Sequence, residues 1–393
     1  MGATGLAGTE VSRRTVLRWS GTAGVLAVGS TVAACAPAVP GSEADANGVV
    51  TLPGFTSRII ATAGEPVGGT DFEFRAFPDG AATFADAEVP GGWYLAVNHE
   101  VPGAAGGVSS IRFAPDGTIT GARSICDHTS LNCAGGATPW GTWLTGEEWL
   151  AGHIWECDPT GARPAQRRRR MGAFKHEAAA VASDGKVYLT EDEKDGAFYR
   201  FTPDTPGDLS AGLLEVATGT TGGGTVTWKR VPDPNPPILF TPPTRFQVPN
   251  TMRFDGGEGI ATLGDLVWFS TKGDDRIWQY ELSTATVSVA YQAGGSSTLS
   301  GVDNLWVDAP TGNLFVAEDG DDMQVVLLRP DDTVLAVAHL PGQKSSEITG
   351  PCFSPAGQRL YFSSQRNPVG PGNLPLGRTY EISGPWDAVL GRT

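Results

Sequence analysis

The sequence predicts an all-β fold, a six-bladed β-propeller, and two observations support this prediction. Glycine and proline are abundant, with 53 and 29 of the 393 residues, and they favour turns and many short strands over long helices. Six short segments also share one layout, an alternating apolar run that ends in a polar residue and is followed by a turn. A spacing of about 46 residues with about four short strands per repeat is typical of propeller blades.

The polar residues that end the six segments mark the repeat. They are Glu100, Glu147, Glu191, Lys272, Glu318 and Gln365. Successive ends are 44 to 47 residues apart, except for one step of 81 residues. That step contains the proline-rich stretch Val231–Pro243, which we interpret as a loop inserted between blades. The even spacing favours a propeller over the alternative fold, an irregular two-sheet sandwich.

The N-terminal segment, residues 1–34, is predicted to be a twin-arginine export signal of the lipoprotein type. Arg13 and Arg14 precede a weakly apolar run of small residues that is too short for a good membrane span. The run ends at Cys35 in a sequence that resembles a lipobox, so we expect either lipidation of Cys35 or cleavage nearby. These features predict export to the cell envelope or the extracellular space, with a lipid anchor at Cys35 as one of the two outcomes.

The remaining chain divides into a linker and one domain. Residues 35–48 are small and polar, as expected of a flexible linker, and residues 49–393 form the predicted propeller. The net charge of −15 makes the body acidic, so it repels nucleic acid and anionic membranes and suits cations. We therefore expect a monomer without a nucleic-acid partner, touching a membrane only through the lipid. Cys126, Cys157 and Cys352 leave the disulfide pairing open.

A second polar position lies 14 residues before several of the segment ends. Cys133, Glu177, Glu258 and Asn304 precede Glu147, Glu191, Lys272 and Glu318 in this way. Equivalent positions of successive blades meet around one axis, so both sets are expected at one mouth of the central channel. Carboxylates gathered there would repel one another unless cations lay between them.

The expected cluster is a central metal site. Carboxylate oxygens select hard cations such as calcium, and a thiolate adds a place for a transition metal. The predicted metal ligands are Glu100, Cys133, Glu147, Glu177, Glu191, Glu258, Asp303, Asn304 and Glu318.

Several motifs resemble the PhoX-type alkaline phosphatase family. The most specific is NCAGGATPWGTWLTGEE at 132–148, and shorter ones surround Glu177, Glu258 and the Asp303-Asn304 pair. The resemblance spans residues 49 to 367. It implies a six-bladed propeller that holds calcium and iron and hydrolyses phosphomonoesters, with phosphodiesters as a further substrate class.

The resemblance also implies roles for residues. Cys133 would be an iron-bound thiolate. The residues that would bind iron or calcium are Glu147, Glu177, Glu191, Glu258 and Glu318, with Glu100 and Asp303-Asn304 close by.

One position departs from the family pattern. The family usually has an arginine two residues before the glutamate at 258, where it clamps the phosphate, and Gly256 stands there in this chain. Lys272 and Arg253 are the candidate cations in its place, although an ammonium is not equivalent to a bidentate guanidinium. Two functions therefore stay open: a phosphatase for small phosphorylated substrates, or a metal-binding propeller that acts as a surface binding module, another esterase or a lactonase.

Overall fold

Six antiparallel sheets form the protein. The computed structural model describes residues 43–294, 297–320, 322–370 and 376–392. Each sheet contains four or five strands and forms one blade, so the predicted six-bladed β-propeller is confirmed. The predicted signal peptide, Cys35 and most of the predicted linker lie outside the described residues.

The first three blades follow two short N-terminal strands, β1 (Val50–Thr51) and β2 (Thr56–Thr62). Blade 1 comprises β3 (Pro78–Ala85), β4 (Trp93–His99), β5 (Gly106–Phe113) and β6 (Ile119–Thr129). Blade 2 comprises β7 (Asn132–Ala137), β8 (Trp143–Glu147), β9 (Ile154–Cys157) and β10 (Gln166–Arg167). Blade 3 comprises β11 (His176–Val181), β12 (Val187–Glu191), β13 (Phe198–Thr205), β14 (Asp208–Thr218) and, after β15 (Gly224–Thr225) of the next blade, β16 (Thr227–Arg230).

The other three blades each take their outermost strand from elsewhere in the chain. Blade 4 comprises β17 (Gly257–Leu263), β18 (Leu266–Thr271), β19 (Arg276–Glu281), β20 (Thr286–Gln292) and β15. Blade 5 comprises β21 (Val302–Asp308), β22 (Asn313–Glu318), β23 (Gln324–Leu328), β24 (Val334–His339) and β1. Blade 6 comprises β25 (Ile348–Phe353), β26 (Arg359–Ser364), β27 (Arg378–Ser383) and β2.

The described helices are short. They are two 3₁₀ turns, Arg169–Met171 and Thr244–Phe246, and one α-helix, Trp386–Leu390. Within the described ranges, none of them has the length and apolar character of a membrane-crossing helix. The proline-rich stretch Val231–Pro243 forms part of the connection between blades 3 and 4.

The N-terminal strands close the ring of blades. Strand β2 pairs with β27 from Thr56 opposite Ser383 to Thr62 opposite Arg378. Strand β1 pairs with β24 in the neighbouring blade. The innermost strands of adjacent blades contact one another in sequence, and the innermost strand of blade 6 contacts that of blade 1. The two ends of the domain thus hold one closed circle together.

The six segments that marked the repeat are the second strands of the blades and not the innermost ones. The innermost strands are β3, β7, β11, β17, β21 and β25. Their alternation is weak because they are rich in glycine and alanine, as in NCAGGA of β7 and HEAAAV of β11. Each also contains a shift of pairing register near its beginning, which interrupts the two-residue period.

The core lies between neighbouring blades. Aromatic side chains of facing sheets pack there, for example Phe198 of blade 3 and Phe269 of blade 4, with ring centroids 4.4 Å apart. Cys126 and Cys157 share one such cluster between blades 1 and 2, whereas Cys352 lies in another. Closer to the axis the channel narrows to a cavity of about 30 Å³ lined mainly by glycine and alanine.

The close approach of innermost strands predicts that an added methyl group is costly there. A Cβ atom at Gly136 of β7 would lie 1.8 Å from the carbonyl oxygen of Ala179 on β11. Gly136→Ala should lower the free energy of unfolding by about 1–3 kcal/mol, because the backbone of the next blade must shift. Gly121→Ala is the matched control, because its Cβ would have no atom within 4 Å. Urea denaturation checks both, and equal midpoints for the two variants would contradict the tight central packing.

Candidate metal centre

One mouth of the channel collects residues from all six blades. The first and second strands of each blade are antiparallel, so the start of one lies beside the end of the other. Asn132 is opposite Glu147 in blade 2, and His176 is opposite Glu191 in blade 3. Each blade therefore contributes side chains from two strands, the start of the first and the end of the second, to the same mouth.

The second residue of each innermost strand forms the inner ring. Its members, in blade order, are Asp79, Cys133, Glu177, Glu258, Asp303 and Thr349. The register shift of each strand lies at or directly after this residue, and such a bulge re-aims the side chain. All of these residues are buried except Cys133, which is partly buried. Thr349 donates a hydrogen bond to the carbonyl of Pro78.

The residue directly after each second strand forms the outer ring. Its members are Glu100, Glu148, Asp192, Lys272, Asp319 and Gln365. Gln365 connects the two rings, because its Nε2 donates to Oε2 of Glu100 at 2.9 Å and also to Asp79. The two rings are therefore in contact around the mouth.

Four groups of three residues have ligand atoms close enough to hold a metal ion. Within each group the atoms lie within 4.8 Å of one another. The groups are Asp79-Glu100-Cys133, Cys133-Glu148-Glu177, Glu177-Glu258-Asp303 and Asp303-Asp319-Glu347. Cys133, Glu177 and Asp303 each belong to two groups, so the four groups form one continuous chain of donors around the channel.

The structure brings together five of the nine predicted ligands. They are Glu100, Cys133, Glu177, Glu258 and Asp303. Asn304 lies beside these groups, and its side-chain amide is hydrogen bonded at both ends. Its Nδ2 donates to Oδ1 of Asp303 at 2.7 Å, and its Oδ1 accepts the backbone N–H of Gly350 at 2.7 Å. Asn304 therefore orients a group member.

Three predicted ligands, Glu147, Glu191 and Glu318, lie outside the four groups and bind loop backbone. Glu147 accepts N–H bonds from Ser130 and His153, at 3.0 and 3.1 Å. Glu191 and Glu318 make similar bonds, and we call these three carboxylates the loop staples. Adjacent residues at a strand end point in opposite directions, so it is the next acidic residue that faces the mouth.

The loop staples are held by further partners. Glu191 accepts the backbone N–H of Ala197 at 3.1 Å and the hydroxyl of Tyr199 at 2.8 Å, and it pairs with Arg245 at 2.9 Å. Glu318 accepts the N–H of Ser300 at 3.0 Å. These bonds occupy the carboxylates with local structure.

The sequence interpretation missed four members of the groups. They are Asp79, Glu148, Asp319 and Glu347. The pairs Glu147-Glu148 and Glu318-Asp319 are both acidic, and the segment spacing fixes the position only to within one residue. Asp79 lies 21 residues before Glu100 rather than 14, because the hairpin of β3 and β4 is longer. Every residue of β8 and β22 is buried, so these strands show no alternation from which to choose between neighbours.

Burial and mutual repulsion dominate the electrostatics of the groups. Burial, followed by neighbouring carboxylates, raises the pKa of Asp79, Glu177 and Asp303 well above the ordinary range. Oε1 of Glu177 is buried without a hydrogen-bond partner, although unpaired buried oxygen is unfavourable. The pKa of the Cys133 thiol is also raised, first by burial and then by Asp79 and Glu177. A cation would satisfy these donors, so the residues fit a metal site.

Three cationic side chains lie at the same mouth. Nζ of Lys272 is 2.7 Å from Oε1 of Glu258 and 3.4 Å from Oδ2 of Asp192. The Lys272 side chain passes beside Gly256, and a Cβ atom added at Gly256 would lie 3.2 Å from Cγ of Lys272. Lys175 pairs with Glu148 at 3.0 Å, and Arg366 pairs with Glu347 at 3.0 Å.

Arg253, the other predicted cation, lies elsewhere. Its Nη1 donates to the carbonyl of Asp195 at 3.2 Å, and its guanidinium carbon lies 4.8 Å from the ring centre of Phe246. The structure thus places Lys272, and not Arg253, against the carboxylates of the site.

Two overlapping segments of the chain, residues 97–152 and 149–263, match the family model of alkaline phosphatase PhoX. Over these residues the chain is similar to the alkaline phosphatase PhoX family. The matched segments contain residues of both rings, among them Cys133 and Glu177 of the inner ring and Glu148 of the outer ring. A comparison with curated protein sequences finds no match.

Solved structures share the propeller fold. Pseudomonas fluorescens PhoX in complex with vanadate, a transition state analogue, has a TM-score of 0.69 and 18% sequence identity over 86% of this chain and 96% of its own. A protein of unknown function from Dyadobacter fermentans has a TM-score of 0.51 and 10% identity, over 85% of this chain and 100% of its own. At these identities the likeness concerns the fold alone.

The contrast between groups and loop staples predicts opposite effects of two similar substitutions. Glu177→Gln should raise the metal-free stability, because one repelling charge disappears, and should reduce the Tm gain on adding calcium to less than about half. Glu191→Gln should lower stability by about 1–3 kcal/mol with or without the metal, because it weakens the pairing with buried Arg245. Calorimetry with chelator and with calcium measures both. The same calcium response in wild type and Glu177→Gln would contradict the site.

The metal-free protein should become less stable as the pH rises from about 4.5 to about 7. Burial and a hydrogen bond with Asp192 raise the pKa of Glu148 from 4.5 to about 7. In that window the folded state binds more protons than the unfolded state, so stability is full below it and lost through it, by about 3 kcal/mol for one group. Denaturation at several pH values with chelator checks this, and Glu148→Gln should flatten the profile. A profile that rises with pH would disprove the assignment.

Proposed function

We propose that the protein is a metal-dependent phosphatase that hydrolyses phosphomonoesters, and phosphodiesters as a second class, at a calcium and iron centre in the channel mouth. The observation that carries the proposal is the chain of four donor groups, which contains eight carboxylates and one thiol. The match of residues 97–263 to the family model of alkaline phosphatase PhoX supports the same reaction.

The donor types suggest how the ions would be divided. Cys133 is the one sulfur donor of the four groups and belongs to two of them, so the iron would bind there, because a thiolate favours a transition metal. The remaining two groups contain oxygen donors alone: Glu177-Glu258-Asp303 and Asp303-Asp319-Glu347. Such groups would hold calcium, which prefers oxygen ligands.

The bound ions would supply positive charge that admits a phosphate dianion to an acidic cavity and stabilises the charge spread over its oxygens during transfer. The protein itself places cations at the same point. Burial alone would lower the pKa of Lys272, but Glu258 and Asp192 raise it well above its usual value, so the side chain stays an ammonium throughout the working range. It is partly exposed, with 39% of its side-chain surface accessible, and can donate to a phosphoryl oxygen.

Arg366 and Lys175 are further donors for the substrate. Arg366 pairs with Glu347 through Nη2, which leaves other N–H groups of the guanidinium for a phosphate, and arginine suits bidentate recognition. Lys175 lies between Glu148 and Asp192, 3.0 and 3.5 Å from their oxygens. These two residues and Lys272 would orient the phosphate, a task that the family gives to the arginine replaced here by Gly256.

Gly256 also favours the second candidate function. Without a guanidinium at that position, the propeller would keep its metals but serve as a surface binding module or hydrolyse another ester, such as a lactone.

We further propose that the monomer is exported through the twin-arginine pathway and anchored by a lipid on Cys35, as the N-terminal sequence suggests.

Hydrolysis of p-nitrophenyl phosphate by the protein loaded with calcium and iron tests the proposal. Cys133→Ala should lose iron in elemental analysis and lower kcat by about 100-fold or more, and a coloured preparation should bleach. Lys272→Ala should lower kcat/KM by about 10-fold to 100-fold. Arg253→Ala is the matched control and should change activity by less than about threefold. If the metal-loaded wild type hydrolyses no phosphoester, the phosphatase is excluded and the second candidate stands.

A further inference from the structure

Asn235 ties together three loops on the mouth side of blades 2 and 3. Its Oδ1 lies 3.2 Å from Nε2 of His153, and its Nδ2 donates to the carbonyl of Arg169 at 3.0 Å. The backbone N–H of Ala173 donates to the carbonyl of the preceding Pro234 at 2.7 Å. The loops 149–153, 167–173 and 231–246 therefore form one continuous surface, which we call the tri-loop surface.

Exposed apolar side chains are concentrated on the tri-loop surface. Of ten large hydrophobic side chains exposed in the described part of the chain, six lie there. They are Trp149, Leu150, Ile238, Leu239, Phe240 and Phe246. Single exposed apolar residues are ordinary, but a contiguous group marks a surface that contacts something other than water.

The most exposed apolar residues form a protruding tip. Leu239 and Phe240 are 83% and 87% exposed. The N–H groups of Phe240 and Thr241 donate to the carbonyl of Pro237, at 3.2 and 3.3 Å, and hold the tip as a compact turn. A convex tip of three successive apolar residues, Ile238–Phe240, offers little area to a flat protein partner, whereas lipid can pack around it on all sides.

The same surface carries unusual positive charge for an acidic protein. Arg167, Arg169 and Arg170 are exposed, while Arg168 between them pairs with Glu156 at 2.6 Å. Among the described residues these three make no ion pair, and Arg167 lies 5.7 Å from the ring centre of Trp155. The tip begins three residues after Asn235, so Ile238 lies within about 10 Å of Asn235, whose side chain bonds the carbonyl of Arg169.

We propose that the tri-loop surface docks the protein on an anionic phospholipid bilayer. The tip Ile238–Phe240 enters the headgroup region, and the three arginines face the lipid phosphates. Apolar residues beside arginine and tryptophan are the composition of surfaces that lie in the membrane interface. The net charge of −15 does not prevent docking, because repulsion from acids farther than about 8 Å is screened at physiological ionic strength, and the adjacent Glu148 pairs with Lys175 at 3.0 Å.

Docking in this orientation places the metal centre beside the membrane. Trp149 of the tri-loop surface directly follows Glu148 of the outer ring, and Ala173 lies two residues before Lys175. The mouth therefore opens next to the bilayer. This inference does not depend on the proposed phosphatase reaction, since it uses no residue of the four donor groups.

Vesicle cosedimentation of the full chain tests the proposal, with Cys35→Ser in every protein so that no lipid at that position contributes. Wild type should bind vesicles of phosphatidylcholine mixed with phosphatidylglycerol at least tenfold more tightly than vesicles of phosphatidylcholine alone. The tip variant Ile238→Ser, Leu239→Ser, Phe240→Ser should lower the affinity at least about tenfold. Arg167→Gln, Arg169→Gln, Arg170→Gln should lower it about fivefold per arginine at low salt.

Two matched variants control for loss of apolar surface and of charge elsewhere. Leu213→Ser, Val289→Ser, Val369→Ser removes three other exposed apolar side chains, and Lys229→Gln, Arg230→Gln, Lys344→Gln removes three other exposed charges. Both should bind vesicles as the wild type does. Equal losses in the controls and the tri-loop variants would overturn the proposal.

A local probe separates docking of the tip from any membrane affinity of residues 1–42. An environment-sensitive fluorophore on Leu239→Cys should shift to the blue with anionic vesicles, whereas the same label on Val369→Cys should not. Background labelling is measured on the protein without either substitution. No shift at position 239 overturns the proposal. So does light scattering that shows a lipid-free dimer lost in the tip variant, because a second copy would then cover the tip.

Discussion

The structure depends on one unfavourable interaction, the repulsion among buried carboxylates that the closed ring of blades forces together. The donor groups hold their oxygens within 4.8 Å of one another, at separations where like charges are costly in a partly desolvated site. Pairing of β2 with β27 prevents the blades from separating to relieve this repulsion. Protonation, the three mouth cations and bound metal are the available ways to relieve it. The closed ring therefore creates a site that destabilises the fold unless protons or positive charges relieve the repulsion.

The carboxylates can be brought this close together because the innermost strands carry small side chains and pack tightly around the axis. Glycine and alanine let adjacent strands approach until a Cβ at Gly136 would meet the neighbouring backbone at 1.8 Å. The bulge in each strand then turns one side chain into the channel, directly above this close packing. A bulge at the equivalent place in all six blades marks the functional site, because the site needs a side-chain direction that a regular strand does not give.

The sequence predicts the number of blades well and the site less well, for a physical reason. The second strands are buried and apolar, so they repeat visibly, whereas the innermost strands have small residues and a bulge that hide the two-residue period. Cys133, Glu177 and Glu258 were found because a 14-residue interval separates them from the segment ends. Glu148 and Asp319 were missed because each follows another acid. The spacing between segment ends is equally regular whichever acid of the pair is chosen.

The paired acids at the strand ends explain why one residue of error matters. In blades 2, 3 and 5 the first acid is a loop staple and the second belongs to the outer ring. Blades 1, 4 and 6 place His99, Thr271 and Ser364 at the staple position, and each again bonds nearby groups: Nε2 of His99 lies 2.7 Å from Ser109, Thr271 donates to Asp274, and Ser364 to Gln343. Burial lowers the pKa of His99 to about 3, so it too acts as a neutral loop support. Every blade thus assigns adjacent residues to two tasks, one holding the loop and the next facing the mouth, which follows from the opposite directions of successive side chains on a strand.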